Sequence, residues 1–327
     1  MKIRMKSIIY TVMLFLFSYF FLSSVSAFAL KTAAIKNKAK KGTGINGVKK
    51  LLFKNPELAI KKLNVMVKKN SKNPKLYYYL GASYGRLNRT GKAVRYYKKA
   101  IKLNPGYLKA YNNLGIAYNK SRNFKKAYKI FLKMVKLSPK NPVYYNNVGF
   151  IEEERNKNHK AIEFFNKATS LNPFYTMAYL NLGSIYRKLG ENRRAAKEYN
   201  KSGLTYFRIG NYLQAVNSFK LSIKLYRRYI YPYENIANSY VKLGNIDKAV
   251  GYYTSSGNIY NSKQRYNKAV KEFDTALRYN SRYMPAIHGI MLSYQKLGNM
   301  QMVSRYMQEE IQVGGVGAIL GGGLPLP

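Results

Sequence analysis

The chain of 327 residues contains no cysteine and no tryptophan, only two histidines, and 13 Asp and Glu against 58 Lys and Arg. Without cysteine there is no disulfide, no thiolate nucleophile, no thiolate-held zinc and no lipid-modified N-terminal Cys. His159 and His288 alone cannot build an imidazole metal cage. So few carboxylates, spread over so long a chain, leave most acid–base chemistries without material. The net charge of +45 is that of a polycation, yet 46% of the residues are hydrophobic. A core can therefore form; a disordered polycation needs low hydrophobicity as well as high charge. The balance favours binding or scaffolding over catalysis, and it implies no cofactor and no metal.

Lys2, Arg4 and Lys6 precede an uncharged stretch from Ser7 to Leu30 whose centre, Ile8 to Leu22, is apolar. Small and polar residues follow, ending in Ala27-Phe28-Ala29. A positive start, an apolar middle and an A-x-A end describe a secretory signal peptide over residues 1–29. The alternative is an uncleaved span anchoring the chain in a membrane, since a stretch of this length can cross a bilayer. The Ser-rich end dilutes the apolar run and favours cleavage. Both readings export the remainder, to the periplasm or the extracellular space.

The rest of the chain repeats itself. Tyr77, Leu80, Gly81 and Tyr84 are followed by Ala93, Tyr97, Ala100 and Pro105. Thirty-four positions on come Tyr111, Leu114, Gly115, Tyr118, Ala127, Phe131 and Pro139, and further copies begin at Tyr145 and Tyr179. Apolar residues at i, i+3, i+4 and i+7 in each half-unit mark one helix face. Gly and Ala let the two helices approach, and Asn104-Pro105 and Ser138-Pro139 stop the second helix, because the residue before proline resists the helical region.

This pattern resembles the tetratricopeptide repeat. The resemblance implies an all-α fold, a right-handed α-solenoid of stacked helix–turn–helix repeats, over residues 74–307. The register then changes at two short steps, near residues 196 and 250. Tyr199, Ser202, Gly203 and Tyr206 begin a unit only twenty positions after Tyr179, and Tyr253, Ser256, Gly257 and Tyr260 do the same after Tyr233. Residues 176–229 and 230–283 thus form a 54-residue super-repeat. Either one helix serves two units at each step, or three helices build each super-repeat. Upstream, residues 30–73 read as a basic linker, flexible to Gly47, with half a degenerate repeat around Pro56–Leu63. Downstream, 308–327 reads as a Gly-rich disordered tail or, alternatively, an apolar docking segment through Ile319-Leu320 and Leu324-Pro325-Leu326.

No catalytic constellation emerges. Glu152, Glu153 and Glu154 are adjacent, and neighbours on a helix point in different directions. His159 reads as a turn residue and His288 as a helical one. The Gly-rich tail lacks the Lys and following helix of a phosphate loop.

The resemblance implies a binding face instead. In this family the first helix of each pair lines the concave surface, and the residue two before the glycine points into it. Those residues are Asn113, Asn147, Asn181 and Asn235. An Asn side chain offers an acceptor and two donors, suited to the backbone of an extended peptide. Tyr79, Lys201, Ser255 and Gly289 interrupt the ladder. Lys75, Lys109, Lys120 and Arg187 would lie on or beside the groove.

The leading expectation is therefore an exported, non-catalytic adaptor binding a protein or peptide segment, in a cell-envelope assembly. The second is a basic surface that binds an anionic polymer: polysaccharide, anionic lipid or DNA. Between Glu57 and Glu152 the chain has 22 Lys and Arg and no carboxylate, and such a surface attracts polyanions. Export makes nucleic acid the least suited of these. The 33 Tyr stand mostly at the repeat's core positions, which favours packing over base stacking.

Overall fold

One residue in each of eight turns has positive φ: Asn88, Arg122, Asn156, Gly190, Gly210, Gly244, Gln264 and Gly298. They follow one another at the long repeat interval except at two places, Gly190 to Gly210 and Gly244 to Gln264, where the sequence also takes its short steps. Each of these turns joins two antiparallel helices. The left-handed region strains an L side chain, and Gly190 at φ 78° avoids that strain where Arg122 at φ 55° does not.

The computed structural model describes residues 44–314. Residues 1–29, read from the sequence as a signal peptide, the basic stretch to residue 43 and the residues from 315 onward lie outside the described residues. Among the described residues there are sixteen helices and no strand, in agreement with the all-α expectation. None of these helices is long and apolar enough to cross a membrane.

The chain divides into two units, ending and beginning at Leu137 and Ser138. The first unit holds α1 (Ile45–Lys54), α2 (Pro56–Lys69), α3 (Pro74–Arg86), α4 (Thr90–Leu103), α5 (Leu108–Lys120) and α6 (Phe124–Leu137). The second holds α7 (Pro142–Glu154), α8 (Asn158–Leu171), α9 (Thr176–Lys188), α10 (Asn192–Arg208) and α11 (Tyr212–Leu225). It continues with α12 (Tyr231–Lys242), α13 (Ile246–Ser262), α14 (Tyr266–Tyr279), α15 (Met284–Lys296) and α16 (Met300–Gly314). Within each unit, helices pack on their chain neighbours and on the next but one, as in a stack of repeats. Asn-Pro pairs start several of them. Asn73 Oδ1 accepts from Lys75 N at 3.0 Å and Asn141 Oδ1 from Val143 N at 3.0 Å, with Pro74 and Pro142 in the first turn.

In six of the pairs, a glycine of the first helix facing an aromatic ring of the second sets how closely they pack. A Cβ on Gly81 would stand 2.6 Å from the Tyr97 ring, on Gly115 2.5 Å from Phe131, and on Gly149 2.7 Å from Phe165. The offset from glycine to ring is the same in all three. Phe165, Phe219 and Phe273 have no exposed surface, and burying each contributes roughly 1.5–3 kcal/mol.

The same pairing resolves the two short steps. Helix α10 is a single run of 17 residues, against 13 or 14 in its neighbours. Near its middle Tyr199 fills the recess over Gly183, and one turn later its own Gly203 receives Phe219. One helix therefore serves as the second of one pair and the first of the next. Helix α13, also 17 residues, repeats this with Gly257 receiving Phe273. Three helices build each super-repeat because one of them is shared, so the two sequence alternatives describe one arrangement.

Two boundaries differ from the sequence reading. Helix α1 begins at Ile45, within the stretch read as linker, and buries Val48 and Leu52, so residues 45–69 form a helix pair and not half of one. Helix α16 runs to Gly314 past the expected end at 307 because Val303 and Tyr306 bury one face and no glycine intervenes earlier.

Part of the positive charge is seated on tyrosine rings. Lys99 Nζ lies 4.4 Å from the Tyr77 centroid, with Lys133 over Tyr111 and Lys201 over Tyr179 at 5.6 Å each. The three cations share one offset from their rings, reaching back from the second helix of a pair to the first. A second series, with a shorter common offset, places Lys92 over Tyr84, Lys126 over Tyr118, Arg194 over Tyr186, Lys248 over Tyr240 and Lys268 over Tyr260. Each contact contributes about 0.5–1 kcal/mol at an exposed site. Tyr77, Tyr111, Tyr118 and Tyr260 are themselves buried, so these rings are core residues with a charged cover, not stacking platforms.

Candidate binding groove

Asn113, Asn181 and Asn235 of the ladder are each tied to a residue of the preceding first helix. Asn113 Nδ2 donates to the Tyr78 hydroxyl at 3.4 Å, Asn181 Nδ2 to Asn146 Oδ1 at 2.8 Å, and Asn235 Nδ2 to Asn200 Oδ1 at 3.2 Å. Asn147 is half-buried in α7. These amides span successive repeats, which the ladder reading did not foresee. Asn146 and Asn200, the acceptors, are buried.

In the first unit the side chains converge on a hollow of about 430 Å³ between α1, α3, α4 and α5. Its floor is Ala82, Ala93 and Ala117, and its walls are Leu52, Tyr78, Tyr97, Asn113 and Ile116, with Arg86 and Lys120 at the edge. Arg86 stacks on Phe53, 3.9 Å from the ring centre, and Lys120 Nζ donates to Asn88 Oδ1 at 2.5 Å. Ile116 is 51% exposed. Ala82 and Arg86, and likewise Ile116 and Lys120, stand four apart and so share a helix face.

Burial raises the pKa of the Tyr78 and Tyr97 hydroxyls and pushes Tyr107 up to about 12, with Tyr78 adding to the last. These groups stay protonated, so the only charges lining the hollow are Arg86 and Lys120. No carboxylate lines it. The surface offers apolar contact, neutral hydrogen-bonding groups and two cations.

The remaining expected residues are dispersed. Lys75 and Lys109 lie in the first turns of α3 and α5 and do not line the hollow, whereas Lys120 does. Arg187 is exposed in the last turn of α9, close enough to Tyr199 to oppose the rise that burial causes in its pKa. The structure therefore brings Asn113 and Lys120 together and leaves Lys75 and Lys109 out of the hollow, while Arg187 belongs to the second unit. Leu52, Phe53 and Arg86 are groove residues that sequence reasoning missed; α1 was hidden in the linker, and Arg86 carries the same spacing from Gly81 as Lys120 from Gly115.

Elsewhere, His159 lies in the first turn of α8, not in a turn between helices. His288 Nε2 is 2.5 Å from Glu310 Oε1 of the following helix. Glu152 is buried and paired with Arg155 at 2.9 Å. Burial pushes the Glu272 carboxyl up to about 7, the Glu234 charge adding to this and the Ser256 hydroxyl opposing it. Among the described residues no three His, Asp or Glu form a group that could hold a metal ion.

Models of the tetratricopeptide repeat match residues 74–107, 96–129, 143–175, 178–202, 199–229 and 250–283. Together these spans cover more than half of the chain. No curated protein matches it. Among solved structures, MamA (residues 41 to the end) from Desulfovibrio magneticus RS-1 is 22% identical over 50% of this chain and 93% of its own, with a TM-score of 0.46. YrrB, a TPR protein with an unusual peptide-binding site, is 17% identical over 69% and 96%, with a TM-score of 0.34. A tetratricopeptide repeat protein from Parabacteroides merdae ATCC 43184 is 17% identical over 67% and 98%, with a TM-score of 0.37.

Proposed function

As the chain belongs to the tetratricopeptide repeat family, we propose that this interaction scaffold is an exported adaptor without catalysis of its own, which docks an acidic, partly apolar segment of a partner protein in the hollow between α1, α3, α4 and α5. One observation carries the reading. Apolar wall, unionised hydroxyls, the Asn113 amide and the cations Arg86 and Lys120 meet in one recess, within a stretch of sequence that has no carboxylate between Glu57 and Glu152. An apolar side chain would enter beside Ile116, and flanking carboxylates would meet the two cations as charge-assisted hydrogen bonds. Export rests on the leader pattern of residues 1–29, with an uncleaved anchor as its variant form, and an envelope assembly is the setting that export suggests.

The test is fluorescence anisotropy with a labelled peptide carrying two leucines flanked by Asp and Glu. Saturable binding that falls tenfold or more in Ile116→Asp supports the reading; equal affinity in that variant overturns it. The carboxylate-free stretch also favours a second reading, binding of an anionic polymer. Dextran sulfate as probe separates the two: a polymer-binding surface gives a steep fall of log K with log salt and ignores the Ile116→Asp change.

A further inference from the structure

The first shared helix creates a second recess, entirely within the second unit. It is a hollow of about 530 Å³ formed where α10 continues past the point at which a second helix would have ended. Phe174, Tyr179, Leu204 and Phe207 supply its apolar lining, and Lys201 and Arg208 its charge. Phe174 is 51% and Leu204 44% exposed, so large apolar side chains stand open to solvent here. Arg208 lies 4.4 Å from the Phe174 ring centre and Lys201 Nζ 2.8 Å from Glu198 Oε1.

The molecule carries its own control. The second super-repeat has the same shared-helix architecture, one super-repeat further along the chain, and the fold there does without this lining. Phe174 becomes Arg228, Leu204 becomes Asn258, Phe207 becomes Asn261 and Arg208 becomes Ser262. Asn261 Nδ2 there donates to the Gly289 carbonyl at 3.2 Å and Lys263 Nζ to the Arg228 carbonyl at 2.9 Å. The step itself therefore does not require exposed Phe and Leu.

We infer that the hollow between α9 and α10 is a further docking site, for an acidic segment of a partner protein that inserts a large apolar side chain against Phe174 and Leu204. Charge selects this occupant. A second copy of a chain with net charge +45 would be repelled from a recess edged by Arg208, whereas a carboxylate beside an inserted apolar residue meets that guanidinium, Lys201 being already paired with Glu198. The pair Leu204 and Arg208 repeats the spacing of Ile116 and Lys120, an apolar residue and a cation four apart on one helix face. The site shares no residue with the groove of the first unit and stands without it.

Isothermal titration of the full chain with the same Leu-containing acidic peptide tests this. Two equivalents are expected for the wild type and one for Phe174→Asp and Leu204→Asp, with Arg208→Glu weakening the same equivalent tenfold or more. Both altered side chains are already half exposed, and unchanged helical circular dichroism and thermal midpoint verify that the variants fold. Stoichiometry unaffected by Phe174→Asp and Leu204→Asp overturns the inference. A single equivalent lost only in Ile116→Asp leaves the groove reading standing and sinks this one. A single equivalent lost only in Leu204→Asp does the reverse, and no binding at all sinks both.

Discussion

The Asn181 side-chain amide donates to Asn146 Oδ1 across 2.8 Å, and Asn146 is 7% exposed. The hydrogen bond joins the first helices of two successive repeats. It turns a residue expected to face a ligand into a strut that also holds the stack in register.

Removing the strut leaves its acceptor buried without a partner. Asn181→Ala is expected to cost about 1–3 kcal/mol for that reason. Asn146→Ala/Asn181→Ala should cost less than the two single changes together, since the buried orphan goes with its partner. Urea unfolding of the four proteins measures the coupling.

Gly203→Ala and Gly91→Ala are expected to move stability in opposite directions. A Cβ on Gly203 would meet Phe219 at 2.4 Å, and overpacking a fitted contact costs about 1–3 kcal/mol. Gly91, early in α4, has nothing within 4 Å of its would-be Cβ. There the alanine gains up to about 1 kcal/mol of helix propensity. Thermal midpoints compare the two directly.

Gln264 occupies the left-handed region at φ 58° in the turn after α13. Four other turns of the same type use glycine there. Gln264→Gly should relieve roughly 1 kcal/mol of backbone strain, partly offset by the greater freedom of glycine in the unfolded chain. The unfolding midpoint is expected to rise by a small amount.

Glu272 makes stability depend on pH. Its folded pKa, about 7, lies above the ordinary carboxylate value of 4.5, so the folded chain binds the proton more tightly than the unfolded one. The contribution is fully present below pH 4.5 and is lost as pH rises through 7. A thermal midpoint lower at about pH 8 than at about pH 5.5 is expected, with the difference reduced in Glu272→Gln. Equal differences in both proteins would remove Glu272 from the explanation.

Much of the fold was legible before any coordinates, because the repeat motif is a packing rule written in residue types. Gly81 and Tyr97, like Gly203 and Phe219, are sixteen apart, and the eight left-handed turns follow the same register. What stayed hidden depends on contacts between repeats. The common spacing of Asn146 and Asn181, and of Asn200 and Asn235, was present in the sequence; it acquires meaning only once successive first helices lie side by side. The cations over tyrosine were concealed likewise, since Lys99 reaches Tyr77 from the second helix of the pair. The hollow at Leu204 required knowing that α10 runs unbroken through two roles.

The central claim is that the recess beside Ile116 holds a partner's acidic segment. Because the chain has no cysteine, Ile116→Cys carries a photo-crosslinking label at one position, and Lys98→Cys on the exposed side of α4 provides the comparison. After irradiation in the producing cells, the account predicts a covalent adduct from position 116 whose linked peptide is acidic and contains a large apolar residue, and none from position 98. The same adduct from both positions, or a linked peptide without acidic residues, would contradict it.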